Sequence, residues 1–585
     1  MKKITSLLLA LIMIFASTFA LASCGAPEDS GAEISVYLGE EIYDFDPTDY
    51  YADDNAEQVM SLLYDPLFRL DSDGDLKCSA AKEYTVNEED RQIVIKLRES
   101  YWTDEIRVKA EDYIYAWREA LLSPGNPNPA SALLFDIEDA IATKAGETSY
   151  TFGAVASGVY EITINYREGA DYKQLLENLS SVATAPLRQD IVAVAETFWS
   201  KDISTIVTNG PFKIETLDYE TGKFTVSRNI GYHQSTSVKD YTKIVNPNSL
   251  VSFFTMGEEL TLTYDDIADK TVFFMRDATL ADRNENKDKA KVYDEMSTYT
   301  YVFNTENPLF KDKNVRRALS LALDRQFIID TVTFGKAATG FLPDSVSKSI
   351  YGKNIPDRIT ADYADYEAAF AEAEALIAAA NLKGVSKTFT LTVNDDEESI
   401  AIANIAKSAW TKLGFNVKIK AVSKCVSKVE DPNLEKIKDI YDSEIQRLVI
   451  EASYGNREFD VIAVDWQMYS RDAFVALASH TAHINGNGTD FNTGARTSIS
   501  GWKNFDYDNY LTSAYKAETE TERKAALAEA EKILIEESPV IPVMYNQNFA
   551  FISGDLSKVA TDGYGNFVFT TTKQKNYKKY LPSED

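Results

Sequence analysis

Histidine and cysteine are scarce in this sequence. The 585 residues include three of each. A Ser–His–Asp or Cys–His arrangement would have to use one of those three histidines, and neither a G-x-S-x-G nucleophile turn nor a phosphate-binding Walker motif occurs. We therefore expect no enzymatic activity, with an exported hydrolase as the remote alternative.

The chain also lacks a complete metal-binding motif. His480 and His483 have the spacing of two ligands on one helical face, but the glutamate of H-E-x-x-H is missing and no third cluster accompanies them. The run Asp-Ser-Asp-Gly-Asp at 71–75 resembles the start of a calcium loop, yet Leu76 and Lys82 stand where an EF-hand needs Gly and Glu. We interpret these features as a polar loop and a turn, and expect neither a metal nor a cofactor.

Positive charge and long apolar runs are scarce as well. The net charge is −31 at pH 7, and such a surface repels phosphate backbones, so nucleic acid is a poor partner. Beyond residue 24 no apolar run is long enough to span a bilayer, which predicts a soluble mature chain. A chain of 585 residues is too long for a single core, so several lobes are expected.

The start of the chain predicts export. Residues 1–23 form a secretory signal, with two lysines after the first Met, then an apolar stretch, then small residues. The ending Leu-Ala-Ser-Cys resembles a bacterial lipobox, which implies that Cys24 becomes the lipidated first residue of the mature chain. Residues 24–32 would then form a flexible tether to the outer face of the membrane. Cys78 and Cys425 are expected to be unrelated thiols, with a disulfide between them as the alternative.

Hydrophobic periodicity indicates an α/β fold. A strand at 389–393, a helix at 400–413 and a strand at 415–419 form a unit typical of α/β domains. The role of the charged stretch 426–453 stays open between an insertion and an ordinary element. Other predicted strands lie at 34–38, 91–97, 159–165, 212–216, 223–228, 459–464 and 540–543, and other helices at 53–63, 110–122, 172–179, 315–328, 363–380 and 519–537.

Several motifs, in order along the chain, resemble those of one family. They include Phe-Asp-Pro at 45–47, Tyr-Asp-Pro-Leu-Phe-Arg-Leu-Asp-Ser-Asp-Gly at 64–74, Ala-Glu-Asp-Tyr-Ile-Tyr-Ala-Trp-Arg at 110–118, Asn-Gly-Pro-Phe-Lys at 209–213, Asn-Val-Arg-Arg-Ala-Leu at 314–319 and Pro-Val-Ile-Pro at 539–542. Taken together, residues 34–585 resemble the extracellular solute-binding proteins of the oligopeptide/dipeptide/nickel type. These proteins are the substrate-capture components of ABC importers.

The resemblance implies an α/β fold in the form of a two-lobed clamshell, like that of periplasmic binding proteins, with an additional inserted domain. Lobe I would be discontinuous and consist of 33–55, 175–297 and 543–585. The inserted domain would span 56–174, and lobe II would span 298–542. A ligand would lie between the lobes, and hinge closure would bury it.

The resemblance also implies a ligand site with one segment in each lobe. The segments are Tyr51, Ala52 and Asp53 in lobe I, and Asp465, Trp466, Gln467 and Tyr469 in lobe II. In the peptide binders of the family, an Asp shortly after the Trp takes the amino terminus of the peptide, whereas this chain has Tyr469. Asp465 and Asp472 both stay open as substitutes. A buried core aromatic is the alternative role for Trp466.

The implied function is that of a lipid-anchored receptor on the outer face of the cell membrane. It would capture short peptides and deliver them to an ABC permease, since an extended peptide can pair with strand edges of both lobes. We expect a monomer with no nucleic-acid partner. A receptor of the same fold for an oligosaccharide, a metal chelate or an opine-like compound is the alternative.

Overall fold

The computed structural model of the chain describes residues 31–39, 42, 44–49, 54–195, 199–218, 221–233, 241–253, 262–423, 429–430, 437–439, 444–481 and 498–580. Cys24, Tyr51, Ala52, Asp53 and Cys425 lie outside these residues. Within them, none of the helices is long and apolar enough to cross a membrane.

Short and long strands are spread along the whole described chain. They are β1 (Glu33–Tyr37), β2 (Phe68–Leu70), β3 (Leu76–Cys78), β4 (Ala81–Asn87), β5 (Gln92–Leu97), β6 (Ala154–Gly158), β7 (Glu161–Asn165), β8 (Phe212–Asp218), β9 (Lys223–Arg228), β10 (Ser249–Phe253), β11 (Phe274–Met275), β12 (Lys291–Phe303), β13 (Lys336–Ala337), β14 (Thr388–Asn394), β15 (Asn416–Val422), β16 (Val429–Glu430), β17 (Ile437–Asp439), β18 (Val461–Gln467), β19 (Val540–Ile552), β20 (Leu556–Ser557), β21 (Ala560–Thr561), β22 (Phe567–Val568) and β23 (Lys573–Gln574).

Helices alternate with many of these strands. They are α1 (Asp54–Leu63), α2 (Ala110–Tyr115), α3 (Ala140–Lys144), α4 (Tyr172–Asn178), α5 (Gln189–Ala195), α6 (Tyr264–Ala268), α7 (Leu280–Asn286), α8 (Lys313–Leu321), α9 (Arg325–Val332), α10 (Asp344–Tyr351), α11 (Tyr366–Ala379), α12 (Glu397–Lys412), α13 (Glu444–Ser453), α14 (Ala473–Ala478), α15 (Phe505–Lys516) and α16 (Glu520–Glu537), with a π-helical turn at Ala116–Leu121 and 3-10 turns at Pro129–Leu134, Val182–Thr184, Tyr241–Lys243, Lys287–Lys289 and Tyr577–Lys579.

Eleven strands of the described chain form one mixed sheet. From edge to edge their order is β15, β14, β18, β12, β19, β11, β1, β10, β9 and β8, and β13 also pairs with β19. A separate antiparallel sheet, in the order β4, β5, β7 and β6, lies within residues 56–174. The architecture is therefore mixed α/β, with a small second sheet beside the main one.

The central strands β12 and β19 join the two halves of the main sheet. Each strand has 13 residues, and they pair antiparallel with a register shift between Asp294 and Thr298. The intervening residues, among them Ser297, form a bulge, which bends a strand locally. The predicted lobe boundaries at 297/298 and 542/543 fall inside these two strands, and the boundaries themselves stay a prediction.

The predicted strand–helix–strand unit is confirmed. β14 and β15 pair in parallel, and α12 connects them. The helix begins after Asp396, whose carboxylate accepts a hydrogen bond from the backbone N–H of Ser399 at 2.8 Å, as expected of an N-cap. Its Trp410 is fully buried and donates from Nε1 to the carbonyl of Leu319 at 2.9 Å, which ties α12 to α8.

Two predicted elements were wrong in extent. The single helix predicted at 315–328 is two helices, because the side chain of Asp324 accepts from the backbone N–H of Phe327 at 3.0 Å and starts a new helix there. The strand predicted at 540–543 runs on to Ile552. In the open stretch 426–453, the structure describes the short hairpin of β16 and β17 and then α13.

Two of the family-like motifs meet at Asp65, which is fully buried. Its backbone exchanges hydrogen bonds with the side chain of Asn209, at 2.9 and 3.0 Å. Its carboxylate contacts Arg69 at 3.1 Å and the ring of His233 at 2.7 Å. Gly210 is required next to this contact, since a Cβ there would lie 2.3 Å from the backbone of Leu63. The motifs therefore serve to join distant parts of the chain.

An aromatic cluster covers one face of the main sheet. The ring of Trp466, on β18, stacks on His480 with centroids 4.5 Å apart, and both rings make T-shaped contacts with Phe341. His480 is 3% exposed, and its Nε2 has no hydrogen-bond partner within the described structure. Burial lowers the pKa of His480 from 6.5 to about 3, so the imidazole is neutral in the folded protein.

We predict that His480 makes the folded state less stable in acid. Because the pKa of His480 is depressed below 6.5 in the folded state, the imidazole is protonated in the unfolded chain at a higher pH than in the folded protein. The free energy of unfolding is therefore highest above pH 6.5 and falls as the pH drops from there towards 3. Between about pH 7.5 and about pH 5, titration of His480 lowers the free energy of unfolding by about 2 kcal/mol. Urea unfolding of the wild type and of His480→Gln at both pH values measures it. The variant should lose less stability than the wild type over this interval, and an equal loss in both proteins would contradict the assignment.

Candidate ligand site at the crossing strands

The predicted lobe II segment lies at the carboxyl end of β18. This strand pairs antiparallel with β12, where Gln467 faces Ser297 and Asp465 faces Tyr299, and it pairs in parallel with β14. Ligands of open α/β sheets bind beyond the carboxyl ends of their parallel strands. The position of this segment is thus one at which a ligand can reach the sheet.

Strand alternation divides the predicted residues between the two faces of the sheet. Trp466 points into the aromatic cluster and is 7% exposed, whereas Asp465 and Gln467 point to the opposite face. The packing of Trp466 is that of a core residue, and its contact with a ligand stays a prediction. Asp465 and Gln467 are the side chains that line the other face.

Solvent reaches the sheet next to Asp465. It is the one residue of β18 that is not buried, and on the otherwise buried middle of β19 the partly exposed residues are Asn546 and Gln547. The amide of Asn546 donates from Nδ2 to Asp465 at 2.8 Å and to the hydroxyl of Ser297 at 2.9 Å. Three neighbouring strands therefore bring one polar cluster to a part of the sheet that solvent reaches, which we call the solvent opening.

Sequence reasoning missed Asn546 and Ser297. Asn546 was detectable as a polar interruption in the apolar run of β19, but its pairing with Asp465 depends on long-range register. Ser297 lies in the bulge of β12, which local periodicity does not predict. Both residues come to the site only because β12 runs between β18 and β19.

Tyr469 occupies a buried position just beyond β18. Its backbone has a φ of +52°, which is uncommon for a residue other than glycine. Burial raises the pKa of its hydroxyl far above the usual value, and the nearby carboxylates of Asp49 and Glu57 raise it further. The hydroxyl of Tyr469 therefore lies near the carboxylates of Asp49 and Glu57.

Asp472 is not available as a substitute for the missing Asp. Its carboxylate caps α14 by accepting from the N–H of Phe474 at 3.0 Å, and it receives the guanidinium of Arg523 at 2.8 and 3.0 Å. The idea that Asp472 receives a ligand's ammonium group is therefore wrong. Asp465 stays open, because it lies at the solvent opening.

A second acidic group lies close to Tyr469. Burial, together with the neighbouring carboxylates of Asp46 and Asp44, raises the pKa of Asp49 to about 8. Burial and Asp44 likewise raise the pKa of Asp46 to about 7. Asp49 Oδ1 is inaccessible and has no hydrogen-bond partner in the part of the chain that the structure describes. A cation placed there would favour the ionised form.

Contacts beside the site bridge distant parts of the chain. The guanidinium of Arg471 binds the carboxylate of Glu177 at 2.7 and 2.8 Å and the carbonyl of Gly74 at 2.9 Å. The hydroxyl of Ser470 donates to Asn178 at 2.6 Å. Gly74 belongs to the Asp-Ser-Asp-Gly-Asp run, and a Cβ on it would lie 2.5 Å from the guanidinium. This run is a turn, as predicted, and its glycine accommodates Arg471.

The sequence matches a known family over most of its length. The family described as bacterial extracellular solute-binding proteins, family 5 Middle, matches residues 76–486. The dipeptide-binding protein DppE of Bacillus subtilis is 24% identical over 560 residues, covering 91% of this chain and 92% of that protein. The oligopeptide-binding protein OppA of the same organism is 23% identical over 590 residues, covering 97% and 99%.

Solved structures share the fold. The murein tripeptide binding protein MppA of Escherichia coli superposes with a TM-score of 0.74 at 22% identity, covering 93% of this chain and 99% of that chain. Haemophilus influenzae OppA in complex with RPPGFSPFR superposes with a TM-score of 0.72 at 19% identity, covering 93% of this chain and 99% of that chain. These likenesses confirm the predicted α/β clamshell fold.

The unliganded open form of MppA superposes less well, with a TM-score of 0.57 over 94% of this chain and 99% of that chain. Given a match that spans most of its length, the chain belongs to family 5 of the bacterial extracellular solute-binding proteins, which are receptors and not enzymes.

Proposed function

We propose that this protein captures short peptides between its two lobes and delivers them to an ABC importer. The observation that carries the proposal is the polar cluster of Asp465 and Asn546 at the solvent opening of the main sheet. It lies beside the strands that join the two halves. The names of DppE and of the two OppA proteins refer to dipeptides and oligopeptides, and one OppA holds the peptide RPPGFSPFR.

The proposed ligand site draws on both lobes. Lobe I would contribute Tyr51, Ala52 and Asp53, and lobe II would contribute Asp465, Trp466, Gln467 and Tyr469. An extended peptide pairs its backbone with strand edges, so one site accepts many sequences. Its ammonium group needs a carboxylate, because a buried unpaired charge is costly.

Asp49 and Asp465 are the two carboxylates that we propose for the ammonium group of the peptide. Asp49 lies near Tyr469, and Asp465 lies at the solvent opening of the main sheet. The raised pKa of Asp49 means that it is largely protonated without a cationic partner at neutral pH. A bound ammonium group would supply the charge that stabilises its ionised form.

Closure of the lobes would involve Arg471. In the lobe assignment above, Arg471 belongs to lobe II, whereas Glu177 belongs to lobe I and Gly74 to the inserted domain. Arg471 lies two residues after Tyr469 in the chain. The bridge that it makes to Glu177 and Gly74 would therefore form when the lobes enclose a ligand. The bridge would slow ligand release without being needed for folding.

We predict that short peptides raise the melting temperature of the purified protein and that oligosaccharides leave it unchanged. A ligand that binds only the folded state adds about 2.7 kcal/mol of stability at a concentration of about 100 times its Kd. Thermal unfolding with pools of three- to five-residue peptides and with oligosaccharide pools measures the effect. Stabilisation by oligosaccharides alone would favour the non-peptide receptor. Cleavage of the peptides, detected by mass spectrometry, would contradict the receptor function.

We also propose that the protein is held on the outer face of the membrane by a lipid on Cys24. The support is the Leu-Ala-Ser-Cys ending of the predicted signal over residues 1–23, followed by the tether 24–32. Family membership fits a location outside the cytoplasm.

We predict that Cys24→Ala abolishes incorporation of radiolabelled palmitate and moves the protein from the membrane fraction into the soluble extracytoplasmic fraction. The reason is that the thiol is the proposed lipid attachment point. Cys78→Ala is the matched control and should keep both the label and the membrane location. Equal labelling of Cys24→Ala and the wild type would rule out this anchor.

A further inference from the structure

A basic segment lies at the carboxyl end of the described chain. Residues 563–580 contain four lysines and no aspartate or glutamate, although the whole chain has a net charge of −31. All four side chains are exposed, and none of them forms an ion pair within the part of the chain that the structure describes. We call the surface that they form the basic face, and its members are Lys573, Lys575, Lys578 and Lys579.

The fold presents these lysines in a fixed arrangement. Lys573 and Gln574 form β23, which pairs antiparallel with β20. Gln574 is 6% exposed, so the lysines on either side of it point outwards. The N–H of Lys575 donates to the carbonyl of Asp555 at 2.8 Å, and the 3-10 turn Tyr577–Lys579 carries the other two lysines. The basic face is therefore a structured surface.

Side-chain contacts attach this turn to the rest of the predicted lobe I. The ring of Tyr580 makes a T-shaped contact with Phe273 at a centroid distance of 4.9 Å, and its hydroxyl donates to Asp555 at 3.3 Å. Asp555 is an acidic group beside the basic face, but its carboxylate already binds Lys270 at 2.5 Å. The positive charge of the basic face thus remains in excess.

The basic face is close to the point where the predicted tether joins the fold. A Cβ on Gly31 would lie 3.0 Å from the carbonyl oxygen of Asn246. The N–H of Asn246 in turn donates to the carbonyl of Thr570 at 2.7 Å. Lys573 follows three residues later, and three residues span at most about 11 Å. The end of the tether and the basic face are therefore neighbours on the surface.

The tether restricts the distance between this surface and the membrane. Cys24 is seven residues before Gly31, and an extended chain of that length spans at most about 25 Å. A lipid on Cys24 would therefore keep the basic face near the lipid headgroups. A lysine close to an anionic membrane strengthens binding about fivefold, so four lysines there have a measurable effect.

The acidic remainder of the protein does not cancel this attraction. At about 0.1 M salt the Debye length is about 10 Å, so exposed carboxylates on other faces of the molecule are screened from the membrane. The charge of the surface that faces the headgroups decides the sign of the interaction, and on the basic face that charge is positive.

We propose that the basic face docks on the anionic lipid headgroups of the membrane that carries the anchor, and so holds the predicted lobe I towards the bilayer. This inference rests on the proposed lipid on Cys24 and goes beyond the capture of peptides. Binding through a few lysines is weak and reversible, so it orients an anchored protein and does not retain an unanchored one.

The test uses purified protein with Cys24→Ala, which cannot carry the lipid, and vesicles without any other protein. Sedimentation over a range of lipid concentrations gives the partition coefficient. We expect binding to vesicles of equal parts phosphatidylglycerol and phosphatidylcholine, and none to phosphatidylcholine alone. Binding should be lost when the salt is raised from about 0.1 M to about 1 M, where the Debye length is about 3 Å.

Replacing all four lysines of the basic face by Gln should lower the partition coefficient at least about tenfold, because each lysine near the surface contributes about fivefold. The melting temperature and the peptide affinity should stay those of the parent protein, since the four side chains are exposed. The changes are Lys573→Gln, Lys575→Gln, Lys578→Gln and Lys579→Gln.

The matched control removes the same charge from four other exposed lysines, around the edge strand β15 in the predicted lobe II. This group does not adjoin the end of the tether in the chain, and its loss should leave vesicle binding unchanged. The control changes are Lys383→Gln, Lys387→Gln, Lys412→Gln and Lys418→Gln.

Three results overturn the inference. They are no binding of the parent protein to phosphatidylglycerol vesicles, binding that salt does not weaken, and an equal loss in both four-lysine variants. Unchanged vesicle binding of the basic-face variant with slower peptide uptake by cells would instead assign these lysines to the permease. None of these results rejects the anchor or the receptor, which palmitate labelling of Cys24 and calorimetry with peptides test separately.

Discussion

Both halves of the molecule depend on the pairing of β12 with β19. These strands lie next to each other at the centre of the main sheet, with β18, β14 and β15 on one side and β11, β1, β10, β9 and β8 on the other. Their register shifts between Asp294 and Thr298 and again between Tyr299 and Thr300, so the ladder of hydrogen bonds is irregular next to the polar cluster that contains Ser297. A continuous backbone connection with local irregularities suits a hinge, since a few residues can absorb the change in angle while the packed halves stay rigid.

The site follows from this geometry. Because β12 is placed between β18 and β19, residues from far apart in the chain, Asp465, Ser297 and Asn546, form one hydrogen-bonded cluster. Alternation along β18 sends Trp466 to the opposite face, where His480 and Phe341 enclose it. The strand β18 therefore contributes to a packed core on one face and to a polar surface on the other. The tight packing of the core face holds the polar side chains in position.

Local sequence patterns predicted the elements that local forces determine. The unit of β14, α12 and β15 was predictable because its apolar periods and its N-cap at Asp396 are all encoded within about 35 residues. The helix break at Asp324 had a local signal as well, and the prediction overlooked it. The full length of β19 was not predictable in the same way, since its Asn546 and Gln547 interrupt the apolar pattern and are stabilised by partners on other strands. The motif-based part of the prediction reached the right family, and its site at the end of β18 stays a prediction. It could not show which face of the strand each side chain occupies, or that Arg523 already neutralises Asp472.

The central claim is that the two halves close on a peptide about the crossing strands. Spin labels on Val155→Cys and Phe505→Cys, two exposed positions in the small sheet and in α15, report the distance between the halves by pulsed electron resonance. Cys78→Ala and Cys425→Ala remove the two other thiols beyond the tether. The account predicts a longer or broader distance distribution without peptide, and a shorter, narrower one when a peptide that binds by calorimetry is added. An identical distribution with and without such a peptide would contradict closure as the means of capture.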